Sequence, residues 1–336
     1  MTDLGKVDGA FFDAVIAPNL GADRDDVTVG PTHGVDFGVL DVGGQAVVLA
    51  TDPISILPEL GFERAGRLAL DIVLADVAVS GVAPTHCTVS LSLPPEMTDD
   101  ELAATWHGMA GHAEALGVSV ASGHTARYAG IDYSWVGAAT GIGVGDHDAV
   151  VRPDGARPGD ALVVSTGPAA EIAGLLATLF PDELDLPARD VATAQQRVED
   201  IPVVEDALAA HAAGDVSAMH DATEGGVQAG LCEMADGAGV RFNVDREAVP
   251  VREGVAAACA AVDVDPWRVS SAGSLLVTAR PEEAEQVVAA LEARGTLAAV
   301  AGTVREGEGV YLDGERVSHP EVDPAWEAFR ALSGDD

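Results

Sequence analysis

Residues 30–54 read GPTHGVDFGVLDVGGQAVVLATDPI. Two apolar runs, DFGVL at 36–40 and AVVLAT at 46–51, flank Gly43-Gly44. This pattern predicts a β-hairpin, because paired glycines accept the positive φ angles of tight hairpin turns. The second run ends at Asp52-Pro53. Proline has no amide hydrogen and stops the strand. The Asp52 carboxylate is then left at the mouth of a sheet, either as a turn residue or as a ligand, since open α/β sheets hold ligands at strand ends. Asp36 opens the first strand behind a turn made by Gly30, Pro31 and Gly34. It too reads as a turn residue or as a ligand.

Outward from the hairpin, strands and helices alternate. Residues 64–80 carry apolar positions at helical spacing and stop near Gly81. Residues 85–92 read as a strand. The next helix begins at Thr98 with Glu101 three residues on, a capping-box pattern, and ends near Gly117. Residues 118–122 and 133–143 are strand-like. The stretch VRPDGARPGD at 151–160 is dense in Pro and Gly and marks a domain boundary, dividing 1–150 from 151–336. Beyond it the spacing predicts a strand at 161–165, helical segments over 168–210, a helix from about Thr223, and strands at 240–244 and 274–279. A helix at 281–293 and a strand near 297–301 follow. The length of 336 residues suits two domains.

Charge narrows the partners. Asp and Glu number 55 against 18 Lys and Arg, a net charge of -37, and Lys6 is the single lysine. Such a surface reads as salt-adapted, or as a dedicated cation-binding surface. There is no basic stripe to replace the counterions of a duplex, which excludes nucleic acid as a partner. Cys87, Cys232 and Cys259 form neither a metal-type pair nor a disulfide framework, as expected of a reducing cytoplasm. No run is long and apolar enough for a signal peptide or a membrane span.

Phosphate chemistry without a P-loop is the theme of the remaining motifs. No G-x-x-x-x-G-K-[ST], H-E-x-x-H, C-x-x-C or G-x-S-x-G occurs. Asp76 lies inside the apolar helix LADVAVS, where a carboxylate is costly unless paired or metal-bound. Asp71 falls off that face and reads as solvent-facing. In VASGHTARY (120–128), Gly123 and Thr125 flank His124 at a strand end, where backbone amides can approach phosphate. His124 is a candidate proton shuttle or phosphate donor. His107, His112 and His211 read as helix-surface residues. In MHDATEGGVQAG (219–230), Asp221 and Thr223 precede a helix opened by Glu224, Gly225 and Gly226. A helix N-terminus offers free amides and the positive dipole end, which suits phosphate, or the Asp and Thr merely cap it. Several aspartates at such junctions would hold Mg²⁺ against a polyphosphate without needing lysines.

Taken in order, GVDFGVL, ATDP, GRLALDIVLADVAVSGVAP, SGHT, RPGDALVVSTG, MHDATEGGV and SSAGSLLV resemble the PurM superfamily over roughly residues 4–305. That group includes aminoimidazole ribonucleotide synthetase, selenophosphate synthetase, thiamine-monophosphate kinase and HypE, and this chain is most similar to archaeal HypE-like proteins. The resemblance implies an N-terminal α/β domain that forms a dimeric β-barrel with a second copy, a C-terminal α+β sandwich, and Mg-ATP bound between them. It places Asp36, Asp52, Asp76 and Asp221 as metal ligands, Asp221 and His124 as proton-handling residues, and Lys6 in a Gly-Lys element that reaches phosphate. Gly34, Gly123, Thr125, Thr223, Glu224, Gly225 and Gly226 would line the nucleotide. The implied reaction is phosphorylation of an amide, carbonyl or phosphate oxygen on a small substrate or protein group. A thiamine-monophosphate-type kinase, with Arg67 and Arg127 as the nearest basic candidates, and a non-catalytic assembly protein are the alternatives. Val35 and Ala75 replace the family's first Asp of G-D-D and the Asn of N-D. The final residues Ala-Leu-Ser-Gly-Asp-Asp lack the HypE terminal cysteine, and residues 1–34 lack the reactive cysteine of a selenophosphate synthetase.

Overall fold

The computed structural model describes residue 7, residues 9–199 and residues 201–334. Its strands are β1 (Val27–Val29), β2 (Gly38–Val42), β3 (Gln45–Ser55), β4 (Pro84–Leu93), β5 (Ser119–Arg127), β6 (Trp135–Gly145), β7 (Ala161–Ser165), β8 (Val216–Ala222), β9 (Arg241–Val244), β10 (Ser274–Ala279), β11 (Ala298–Arg305), β12 (Gly309–Leu312) and β13 (Glu315–Val317). The helices are α1 (Gly9–Phe11), α2 (Phe62–Ala78), α3 (Asp99–Ala115), α4 (Ala170–Leu179), α5 (Ala188–Gln195), α6 (Val203–Ala213), α7 (Gly226–Ala238), α8 (Val255–Ala261), α9 (Pro281–Ala293) and α10 (Pro324–Ser333).

Two sheets carry the site. The first has the order β1-β2-β3-β6-β4-β5. Its hairpin β2–β3 turns at Gly43 and Gly44, whose φ angles are +66° and +86°, the values a primed turn demands. Alternate residues of β3, Ala46, Val48 and Ala50, are buried in a core shared with α2. At α3 the capping box forms as its sequence requires, Thr98 and Glu101 satisfying each other's amides. β5 ends the sheet with eight of its nine residues exposed, so a single chain makes an open sheet and not a barrel.

The second sheet has the order β13-β12-β9-β11-β7-β10-β8. It is covered on both faces, which is why β7 and β10 are wholly buried and mostly apolar, with Ser165, Ser274 and Thr278 as their only polar residues. Val163, Met219, Leu275 and Val277 join the core that includes α6 and α9. Leu162, Val164, Ala218 and Leu276 face α7 instead. The first of these cores runs without a break from Val39 to Leu291, so the two halves share it. The helical stretch expected over 168–210 divides into α4, α5 and α6, with Pro181, Pro187 and Pro202 at the breaks.

Two expectations are overturned here. Asp71 is buried, and its Oδ1 lies 2.7 Å from His112 Nε2 of α3, so neither is a solvent-facing residue. Five residues separate Asp71 from Asp76, which turns Asp71 toward α3 rather than toward the face that Asp76 occupies.

Candidate active site

A cavity of about 530 Å³ opens between the halves. Asp36, Asp52 and Asp76 line it from the first half, and Thr223, Glu224 and Asp323 from the second. Each acid arrives by a different local device. Asp36 follows Gly34, whose φ of +70° and missing Cβ let the loop lie against Glu233 of α7, where a Cβ would meet Glu233 Cβ at 3.0 Å. Asp52 sits on β3 opposite Ala139 of β6. Asp76 is buried near the end of α2.

Asp221 is not in the cavity lining; it is buried, on β8 rather than in a loop before a helix. Burial pushes its carboxyl up, to about 6; His220 opposes this, while the charges of Asp36 and Asp52 add to it. His220 had no role in the reading from sequence, yet it is central. Its Nδ1 is 3.5 Å from Asp36 Oδ2 and 3.9 Å from Asp221 Oδ1, and its Nε2 is 2.8 Å from Glu233 Oε2. Burial disfavours the imidazolium, but the Glu233 hydrogen bond and the charges of Asp36 and Asp221 outweigh it and raise the ring to about 9. Ligand atoms of Asp36, His220 and Asp221 all lie within 4.8 Å of one another.

The start of α7 is already engaged. Asp323 Oδ2 accepts from the Gly225 and Ser270 amides, both at 2.8 Å, while its Oδ1 accepts from Ala325 and caps α10. The Gly226 amide donates to the Thr223 carbonyl. Glu224 Oε1 accepts from Trp326 Nε1 at 2.8 Å. The amides of Gly225 and Gly226 therefore donate to the cap of the C-terminal helix and to the turn.

Other expected residues stand apart. Gly123, His124 and Thr125 lie on β5, three strands from β3, roughly 14 Å at normal strand spacing. His124 Nε2 meets Tyr128 Oη at 3.0 Å on the exposed sheet edge. Within one chain His124 does not line the cavity. Gly123 has a packing reason: a Cβ there would meet the Val89 carbonyl at 2.5 Å. Lys6 lies outside the described residues. Arg67 pairs with Glu199, and Arg127 donates to the Met97 carbonyl and to Asp99. Among the described residues, those lining the cavity include no Lys, Arg or His.

A Gly-turn hairpin, a seven-stranded second sheet and a cleft between the halves lined by several carboxylates define a two-domain α/β class. This chain belongs to the AIR synthase related family, the PurM superfamily: residues 34–143 match its N-terminal domain and residues 157–315 its C-terminal domain. It is 30% identical to the carbamoyl dehydratase HypE of Rhizobium leguminosarum bv. viciae, over 83% of this chain and 79% of that protein. The structure of Escherichia coli HypE superposes with a TM-score of 0.72 at 25% identity, covering 94% and 96% of the two chains. A hydrogenase maturation protein HypE solved in complex with ATP shares the fold, with a TM-score of 0.66 at 23% identity over 96% and 97%. Against the family's motifs, Val35 and Ala75 are both buried in the core.

Proposed function

We propose that this chain binds ATP with divalent cations in the cleft and phosphorylates an oxygen of an amide- or carbonyl-bearing substrate, small or carried on a protein. The observation that carries this reading is the cavity itself: several carboxylates, apolar walls of Leu68, Ile72, Leu175 and Phe329, and, among the described residues, no cationic side chain in the lining. A polyphosphate entering it needs its charge neutralised by metal ions. The donors fit Mg²⁺: Asp36, Asp52, Asp76 and Asp221 offer oxygens, and the buried Asp221 Oδ1 has no hydrogen-bond partner. These residues would hold the ion, and a bound Mg²⁺ supplies electrostatic stabilisation of charge on the transferring phosphoryl group. The protein's own contribution is positioning, exclusion of water by the apolar walls, and proton handling at Asp221.

The name of the Rhizobium relative, a carbamoyl dehydratase, supports an amide oxygen as the acceptor. Its activation would make that oxygen a leaving group as phosphate. A phosphate-bearing acceptor such as thiamine monophosphate calls for a cationic subsite, which the described residues of the cavity lining do not offer.

The test is calorimetry of Mg-ATP at high KCl on the wild type and on Asp52→Asn. Binding by the wild type that is lost in the variant supports the carboxylate–cation–phosphate site. A folded wild type that binds no Mg-ATP would sink the reading. Asp52→Asn and Asp221→Ala should each lower ATP turnover by on the order of 10²-fold or more. Binding without turnover across carbamoyl, carboxamide and phosphate acceptors would point instead to a nucleotide-binding assembly protein.

A further inference from the structure

We propose that His220 is a nitrogen ligand in a mixed centre with Asp36 and Asp221, and that this centre takes a first-row transition ion in preference to Mg²⁺. The inference rests on the reading above in using the same carboxylates, and it adds a ligand and a metal class to it.

The ring is built for that role from both sides. His220 is on β8 with its side chain 2% exposed. Nε2 lies 2.8 Å from Glu233 Oε2, so the proton on that nitrogen is donated to a carboxylate. A metal-binding imidazole typically does the same with its second nitrogen, which fixes the ring and its tautomer while the ion takes the place of the proton on the other nitrogen. Nδ1 is that other nitrogen. It is buried, makes no hydrogen bond, and lies 3.5 Å from Asp36 Oδ2 and 3.9 Å from Asp221 Oδ1. Asp221 Oδ1 is buried and equally without a hydrogen bond. A plain ion pair between His220 and these acids would bring Nδ1–H to about 2.8 Å of one oxygen. Instead, one ring nitrogen and one oxygen from each acid lie within 4.8 Å of one another, with Nδ1 and Asp221 Oδ1 making no hydrogen bond.

Donor chemistry sets the preference. Mg²⁺ seeks six oxygens and gives up water reluctantly. Imidazole favours later first-row ions, whose affinity for a given N/O site rises from Mn²⁺ through Co²⁺ and Ni²⁺. Asp52 and Asp76 line the cavity outside this trio.

The probe is Co²⁺ alone, titrated into the whole chain by calorimetry and followed in its visible absorption, with no nucleotide present. Wild type should bind one Co²⁺ at least tenfold more tightly than Mg²⁺, with a spectrum shifted from that of an all-oxygen site. His220→Gln should lose at least tenfold in Co²⁺ affinity and revert to the all-oxygen spectrum. Glu233→Gln, which keeps the ring and weakens its support, should lose affinity while keeping the nitrogen signature. An unchanged Co²⁺ affinity and spectrum in His220→Gln would overturn the proposal and leave His220 as an internal counter-charge. Should that variant not fold, an all-oxygen Co²⁺ spectrum in the wild type overturns it equally. Mg-ATP binding is read separately: its absence with Co²⁺ bound through nitrogen would sink the nucleotide reading alone.

Discussion

At the scale of single residues, Asp323 links the two helix ends beside the cavity. It is buried, and one carboxylate satisfies the amides of Gly225, Ser270 and Ala325. Asp323→Ala would leave buried donors unsatisfied, each with a penalty of about 1–3 kcal/mol. We expect a loss of at least about 2 kcal/mol in denaturant unfolding at high salt; a loss within error of zero would show that water takes over those amides. The thiols give a second check. Burial pushes the Cys232 and Cys259 thiols up to about 12 and raises Cys87 as well. At pH 8 the thiolate fraction is then negligible, and alkylation of the native chain should be slow for all three until it unfolds. Fast labelling of the folded protein would show local opening. Sequence showed part of this scale. Asp36, Asp52 and Asp76 were visible as carboxylates at Gly- and Pro-marked junctions or inside an apolar run. His220 was passed over because it sits in VSAMHDA, a short buried strand with no periodicity of its own. Glu233 and Asp323 act through contacts 13 and 98 residues away in the chain, to His220 and Gly225. The Asp-Pro step at 323–324 is a helix-start signal that marks the cap on α10 but cannot reveal its second set of partners.

At the scale of elements, β5 asks for a partner. It is a nine-residue edge strand, long and almost wholly exposed, with Val120 38% exposed and Tyr128, just past its end, 46%. An unprotected edge of this length is a template for another strand. The family resemblance implies that a second copy of the chain completes a barrel there. The expectation is that the wild type sediments as a dimer and that Val120→Asp shifts it toward monomer by tenfold or more in dissociation constant. A monomeric wild type at micromolar concentration in high KCl would refute the pairing. If the dimer forms, His124 becomes a residue of that interface, a different role from the proton shuttle its glycine-flanked motif suggested. The motif records a strand meeting a turn, whereas reach to the cavity within one chain depends on strand order. Strands β1, β8, β12 and β13 were not foreseen, being short or lacking alternation, while the hairpin and the capped helix α3 followed from local chemistry alone.

At the scale of the whole molecule, charge decides where these experiments can be done. A net charge of -37 on 336 residues means that the compact state repels itself at low ionic strength. The acidic cavity sharpens this, since Asp221, Asp36 and Asp52 raise one another's energy in the absence of cations. Screening acts on the two parts differently. The Debye length falls from about 10 Å at 0.1 M to about 3 Å at 1 M, which quiets surface repulsion but barely reaches buried groups. Added KCl should therefore raise the melting temperature by at least about 10 °C between about 0.1 and 3 M, as a surface effect. Divalent ions should add a further rise at millimolar concentration through the buried carboxylates, by mass action on the folded state. Circular dichroism melts of the wild type and Asp221→Asn separate the two. The KCl slope should be shared, and the divalent increment should shrink in the variant. A melting point indifferent to KCl would mean that the acidic surface is not a salt adaptation. Its most direct remaining explanation would then be the dedicated capture of cations.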